Sequence, residues 1–258
     1  MKKIISIILI AVLLLFTLTA CNDTKSTNKA SNNTATNTSK TNNSTKKEES
    51  KVSVDYAAAA EKQMAAPNKG ETIAIIHIKN YGEVRVKFFD EVAPKAVENF
   101  TTHAKNGYYN GVTFHRVINE FMIQGGDPLG NGTGGQSIWG EDFAEELSEE
   151  LVPYRGSLCM ASRGLQNSPS LGSQFFITQA HYDEQMASYM QGYGYPADLM
   201  EQYKKYGGYL SLYQQYTVFG QVYEGMDVVD KVAAVQTDET DKPVEKVVIE
   251  NIEVMRSE

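Results

Sequence analysis

The chain has 258 residues, 41% hydrophobic and 22% charged, enough to bury one sizeable core but not two independent ones. Its formal charge is −8, becoming −10 once the stretch bearing Lys2 and Lys3 is removed, which argues against a nucleic-acid partner. Cys21 and Cys159 sit in unlike settings and indicate no disulfide framework, and His77, His103, His115 and His181 lack ligand spacing, so neither a metal nor another cofactor is expected.

Lys2 and Lys3 precede an apolar run from Ile4 to Leu18, the layout of a secretory signal over residues 1–20. The run ends at Leu18-Thr19-Ala20-Cys21, which resembles the lipobox of bacterial lipoproteins. That resemblance implies that Cys21 is diacylated and becomes the new N-terminus, anchoring the protein to the outer face of the cell membrane by two acyl chains. From Asn22 to Lys51 only Ala30 and Ala35 are apolar, so residues 21–54 read as a polar tether that cannot repay the entropy of folding. Residues 55–69 form a lead-in: Ala-rich sequence from Tyr56 favours a helix until Pro67 ends it.

After Gly70 the hydrophobic period changes to two, opening a folded domain over residues 70–256. Thr72 to Lys79 and Val84 to Phe88 read as a hairpin around Asn80-Tyr81-Gly82. Pro94 opens a helix with Val97, Phe100 and Ala104 on one face, closed by Asn106-Gly107. Strands are expected at Val112 to Ile118, Phe121 to Gln124, Leu158 to Ala161, Phe175 to Thr178, Val218 to Val222 and Val247 to Val254, and a second helix at Met226 to Ala234. Many short strands with two long helices favour an antiparallel barrel over a doubly wound sheet.

The glycine-rich run from Gly125 to Gly135 contains a GxGxxG spacing, but no helical apolar face follows it and no Walker lysine is present, leaving a shaped surface loop. The stretch Phe114 to Asp127 is more informative. In strand geometry Arg116 shares a face with Ile118, and Met122 with Gln124, so a cation, an amide and large apolar groups could converge on one surface. Phe175 and Phe176 put one ring on each face of their strand, without revealing which is core. His115 reads as a hydrogen-bonded core histidine rather than an acid-base group.

Six ordered segments resemble the cyclophilin family: "VENF" at Val97 to Phe100, "FHRVI" at Phe114 to Ile118, "FMIQGGD" at Phe121 to Asp127, "NGTGG" at Asn131 to Gly135, "GSQFFIT" at Gly172 to Thr178 and "TVFGQV" at Thr217 to Val222. The resemblance spans about Glu71 to Val254 and implies a mainly β fold, a closed eight-stranded antiparallel barrel capped by two helices. It implies peptidyl-prolyl cis-trans isomerisation, with Arg116 and Gln124 as catalytic residues and Phe121, Met122, Ala161, Ser162, Gln174, Phe176 and Leu212 binding substrate. The partners it implies, with the leader, are proline-containing segments of exported proteins, met by a monomer. Ser211 and Tyr216 depart from the family's usual tryptophan and histidine, which bears on cyclosporin affinity and peptide preference; Ser211 with the bulky Arg163 supports an alternative, a non-catalytic proline-peptide binder, chaperone or adhesion lipoprotein on the same fold. Residues 182–210 exceed the family's usual connection and form an insertion whose middle reads as a helix, from Pro196 through Leu199, Met200, Tyr203 and Tyr206 to Gly207-Gly208. That apolar stripe either packs on the barrel or recognises clients.

Overall fold

The computed structural model describes residues 54–164 and 169–258; the signal segment, Cys21 and nearly all of the tether lie outside the described residues. Helix α1 (Tyr56–Met64) starts where the Asp55 carboxylate accepts the Ala58 N–H at 3.0 Å, and it ends ahead of Pro67. Strands β1 (Thr72–Ile78) and β2 (Gly82–Phe88) form the expected hairpin, with Ile76 opposite Val84. Helix α2 (Pro94–Lys105) begins on its proline, and Glu146, distant in sequence, supplies the cap. Its carboxylate accepts from the Lys95 and Ala96 N–H groups at 3.1 and 2.9 Å.

Strands β3 (Arg116–Ile118), β4 (Met122–Gly125), β5 (Ser157–Ser162) and β6 (Leu171–Thr178) follow. Then come α3 (Glu184–Gly192), α4 (Ala197–Tyr206), β7 (Val218–Glu224), α5 (Met226–Ala233) and β8 (Ile249–Arg256). All eight expected strands are present in one curled antiparallel sheet of order β3-β4-β6-β5-β7-β2-β1-β8. Helices α2 and α5 cover its main core, in which Phe100 meets Phe175 edge-on at 5.2 Å between ring centres.

Two expectations are corrected. The sheet does not close into a barrel: between its end strands the described residues make a single bridge, Thr113 to Val248, flanked by bonds such as Phe114 N–H to the Val247 carbonyl at 2.9 Å. The reason lies in β3, only three residues long. The segment before it meets β8 irregularly, and the Val117 N–H is taken at 2.8 Å by the carbonyl of Asp241, in the loop between α5 and β8. The helix count also differs, because the insertion carries two helices. Helix α3 offers only Ala187 and Met190 as a buried stripe, too short a pattern to read from sequence.

The insertion does not lie on the main core. Leu199, Tyr203 and Leu210 join Tyr56 and Ala60 of α1 and Val152 and Tyr154 in a second apolar cluster, so the stripe on α4 is packed rather than exposed. Gln63 ties α1 to the sheet: its amide nitrogen lies 3.1 Å from both Ser157 Oγ on β5 and Gln221 Oε1 on β7, donates to the Val152 carbonyl at 2.7 Å, and its carbonyl accepts the Val152 N–H at 3.1 Å.

Candidate active site

The β3–β4 hairpin sets the first wall. Its register pairs Arg116 with Gln124 and Ile118 with Met122, and β4 in turn pairs Gln124 with Phe176 on β6. A row of Arg116, Gln124, Phe176 and Cys159 thus runs across four strands on one face of the sheet. Phe175 turns the other way, into the main core, and Phe176 joins a separate cluster with Met122, Leu151, Cys159, Leu212 and Val218. The choice that the sequence left open between the two rings is settled by this pairing.

Above that cluster lies an open cavity of about 580 Å³. Arg116, Phe121, Met122 and Gln124 line it together with Ala161, Ser162, Phe176 and Leu212. Met122, Phe176 and Leu212 are buried and make an apolar floor. Tyr216 stands edge-on to Phe176 at 5.5 Å between ring centres. Cys159 lies beneath, where burial pushes its thiol up and leaves it a small apolar filler.

The polar wall is braced from behind. Gln174 is buried and does not line the cavity; its amide donates to the carbonyls of Gly132 and Gly134 at 3.0 and 2.8 Å, and its carbonyl accepts from Gln124 Nε2 at 3.0 Å. The glycine-rich loop thereby becomes part of the site, since Asn131 and Gly132 reach the cavity. The carboxylate of the fully buried Asp127 holds that loop, accepting from the N–H groups of Leu129, Asn131 and Gly132 at 2.9, 3.1 and 2.7 Å. Burial alone would raise its pKa, but these backbone donors outweigh burial and hold the carboxyl below its usual range. Gly135, at φ +92, tolerates no side chain, because a Cβ would stand 2.3 Å from the Ser173 hydroxyl.

Arg116 is 43% exposed, and its Nε lies 3.5 Å from Asp241 Oδ2. Sequence reasoning missed Asp241, as it missed Thr240 and Lys242, which line the cavity from the loop bonded to β3. No motif marks them. The chain path brings them there through a loop closed on Asp238, whose carboxylate accepts from the N–H groups of Thr240 and Lys242. His115 lines the cavity and is buried as expected, with no well-formed hydrogen bond at either ring nitrogen and the Thr113 backbone as its polar neighbour. Burial lowers its pKa despite the Asp127 carboxylate, so the ring is neutral near pH 7.

The arrangement offers a cation beside an apolar floor. A family model described as cyclophilin type peptidyl-prolyl cis-trans isomerase/CLD matches residues 73–254. The chain belongs to the cyclophilin family. Its relatives include proteins named "Putative peptidyl-prolyl cis-trans isomerase" from Staphylococcus saprophyticus, 45% identical over 75% of this chain and 97% of the relative, and from Staphylococcus epidermidis, 47% identical over 70% and 91%. Among solved structures, a cyclophilin type isomerase of Cryptosporidium parvum superposes with a TM-score of 0.59 at 31% identity, covering 73% of this chain and 99% of its own. The same parasite enzyme solved in the presence of the dipeptide Ala-Pro gives a TM-score of 0.57 at 32% identity, covering 72% and 99%.

Against the cyclophilin pattern, the departing residues have defined places. Arg163 is held away from the cavity by Asp142 at 3.0 Å and the Gly135 carbonyl at 2.6 Å. Ser211 lies in the single turn Leu210–Leu212 and does not line the cavity.

Proposed function

We propose that this cyclophilin-type isomerase turns Xaa-Pro bonds in exported proteins, outside the cytoplasmic membrane, where a lipid on Cys21 holds it. The observation that carries the catalytic part is the half-exposed Arg116 guanidinium standing at the edge of a floor made by Met122, Phe176 and Leu212. Amide resonance opposes rotation with a barrier of about 18–20 kcal/mol. The floor holds the proline ring, each buried apolar contact contributing about 1.5–3 kcal/mol. Arg116 donates to the prolyl nitrogen, which accepts well only once the bond has twisted and resonance is lost. That difference between ground and transition state is the catalytic part of the bond. Its charge and planar fork persist at any physiological pH. Ala161 and Ser162 flank the peptide main chain, and Gln124, held by Gln174, faces the peptide beside the guanidinium.

An NMR exchange assay on proline tetrapeptides tests this: the unsubstituted protein accelerates cis-trans exchange, and Arg116→Ala does not. Binding without acceleration would favour the alternative of a non-catalytic proline-peptide binder. The anchor is supported by the lysines, the apolar run and the small-residue stop at Cys21. A Cys21→Ala protein that still fractionates with membranes after loss of its leader would overturn it.

A further inference from the structure

The turn carrying Phe121 is gripped from both ends of the insertion. At the insertion's start, the Gln179 N–H donates to the Phe121 carbonyl at 2.8 Å, and the Gln179 side-chain carbonyl accepts the Glu120 N–H at 2.8 Å. His181 adds a second hold on Glu120, its backbone N–H and its ring Nδ1 each 3.0 Å from the carboxylate. Gln179 is itself immobilised: it is buried and donates at 2.9 Å to Asp230, which also binds the Arg155 guanidinium. Glu120 sits at φ 58, a left-handed conformation that a non-glycine residue keeps only where its surroundings hold it.

At the insertion's return, the Gly208 N–H donates to the Ala180 carbonyl at 2.9 Å and the Tyr209 N–H to the Pro153 carbonyl at 3.0 Å. Gly208 lies so close to Pro153 and Tyr154 that a Cβ would stand 2.3 Å from the Pro153 oxygen. From this fixed point the Tyr209 ring reaches Phe121, 4.3 Å between ring centres at 47°. Phe121 is only partly buried, unlike Met122 and Phe176 beside it; one side of its ring packs on their cluster, and Tyr209 supplies an aromatic contact that the cluster does not. The body of the insertion is anchored, with Leu199, Tyr203 and Leu210 buried in one cluster with Tyr56, Ala60, Val152 and Tyr154.

We propose that Tyr209 is a positioning residue for Phe121, through which the insertion sets the width of the proline pocket and the preference for the residue beside proline. This rests on the isomerase reading above. Removing the ring frees Phe121 to swing, so proline is held less tightly while the Arg116 chemistry is untouched.

The test compares Tyr209→Ala and Tyr209→Phe with the unsubstituted protein on Ala-Xaa-Pro-Phe peptides, with Xaa running from Gly to Leu and Phe. NMR exchange gives kcat and KM, titration gives Kd, and thermal unfolding is followed alongside. Tyr209→Ala should raise KM and Kd about 3- to 10-fold, as loss of an aromatic pair does, leave kcat within about 2-fold, and narrow the spread of kcat/KM across Xaa. Tyr209→Phe, which keeps the ring, should stay within about 2-fold of the parent. If Tyr209→Ala proves too unstable, Tyr209→Leu keeps apolar volume without a ring and carries the same expectation. Unchanged KM and spread in the alanine or leucine variant, whatever the melting temperature, would show that Tyr209 only packs and would overturn the proposal. Should the parent bind peptides without turning them over, the isomerase reading fails, and the Kd ratio between variants still decides the role of Tyr209. No binding by the parent overturns both.

Discussion

Replacing Arg116 by alanine should separate catalysis from folding. Among the described residues the ion-pair partner of Arg116 is Asp241, at 3.5 Å, and the two side chains are 43% and 44% exposed. A pair so well solvated contributes about 0–1 kcal/mol to stability. In a domain of this size about 1 kcal/mol moves Tm by about 2–4 °C, so Arg116→Ala should melt within about 4 °C of the parent. Catalysis should respond on another scale. A hydrogen bond from a charged donor is worth about 1.5–3 kcal/mol, and at 1.36 kcal/mol per decade kcat/KM should fall about 10- to 150-fold. Arg116→Lys keeps the charge but loses the planar fork, and it should fall in the same direction. The assay is peptide exchange by NMR, with circular dichroism for the melt. Unchanged kcat/KM in Arg116→Ala at a normal Tm would refute the role given to the guanidinium; a collapse of Tm would refute the claim that its partners are solvent-screened.

Asp241→Asn removes the carboxylate beside Arg116 and should lower kcat/KM by no more than about 5-fold, the size of an exposed pair; a larger loss would mean that Asp241 touches substrate directly. Gln63→Leu strands the buried Val152 N–H and the groups around Ser157 and Gln221, so it should cost about 2 kcal/mol and about 4–8 °C of Tm by calorimetry, while an unchanged melt would show that α1 is not stapled to the sheet. Asp127 has a folded pKa held below its unfolded value of about 4, so its contribution is fully present above that value and is lost as pH falls through the lower folded one. Urea midpoints between about pH 2 and 6 should therefore fall less steeply in Asp127→Asn than in the parent, and parallel curves would remove Asp127 from the acid response.

Much of this domain could be read along the chain, because the physics involved is local. Period-two alternation marked the first hairpin and the last strand, short apolar runs marked the strands between them, the turn chemistry at Asn80 to Gly82 joined the hairpin, and Pro94 with Asn106-Gly107 bounded α2. The resemblance in six segments named Arg116, Phe121, Met122, Gln124, Ala161, Ser162, Phe176 and Leu212 in advance, and those eight side chains line one cavity. What the chain could not declare depends on neighbours distant in sequence. Phe175 and Phe176 are indistinguishable in propensity; the resemblance pointed to Phe176, but the physical reason, its pairing with Gln124, exists only in the folded sheet. Asp241 reaches Arg116, 125 residues earlier, through a loop whose sequence carries no motif. The open seam follows from an irregular meeting of residues 111–114 with β8, a matter of hydrogen-bond geometry rather than of pattern. The insertion shows the division most sharply: its helical stripe was legible, but whether that stripe was core or surface depended on α1 and residues 152–154, which complete the second cluster only once the chain has folded.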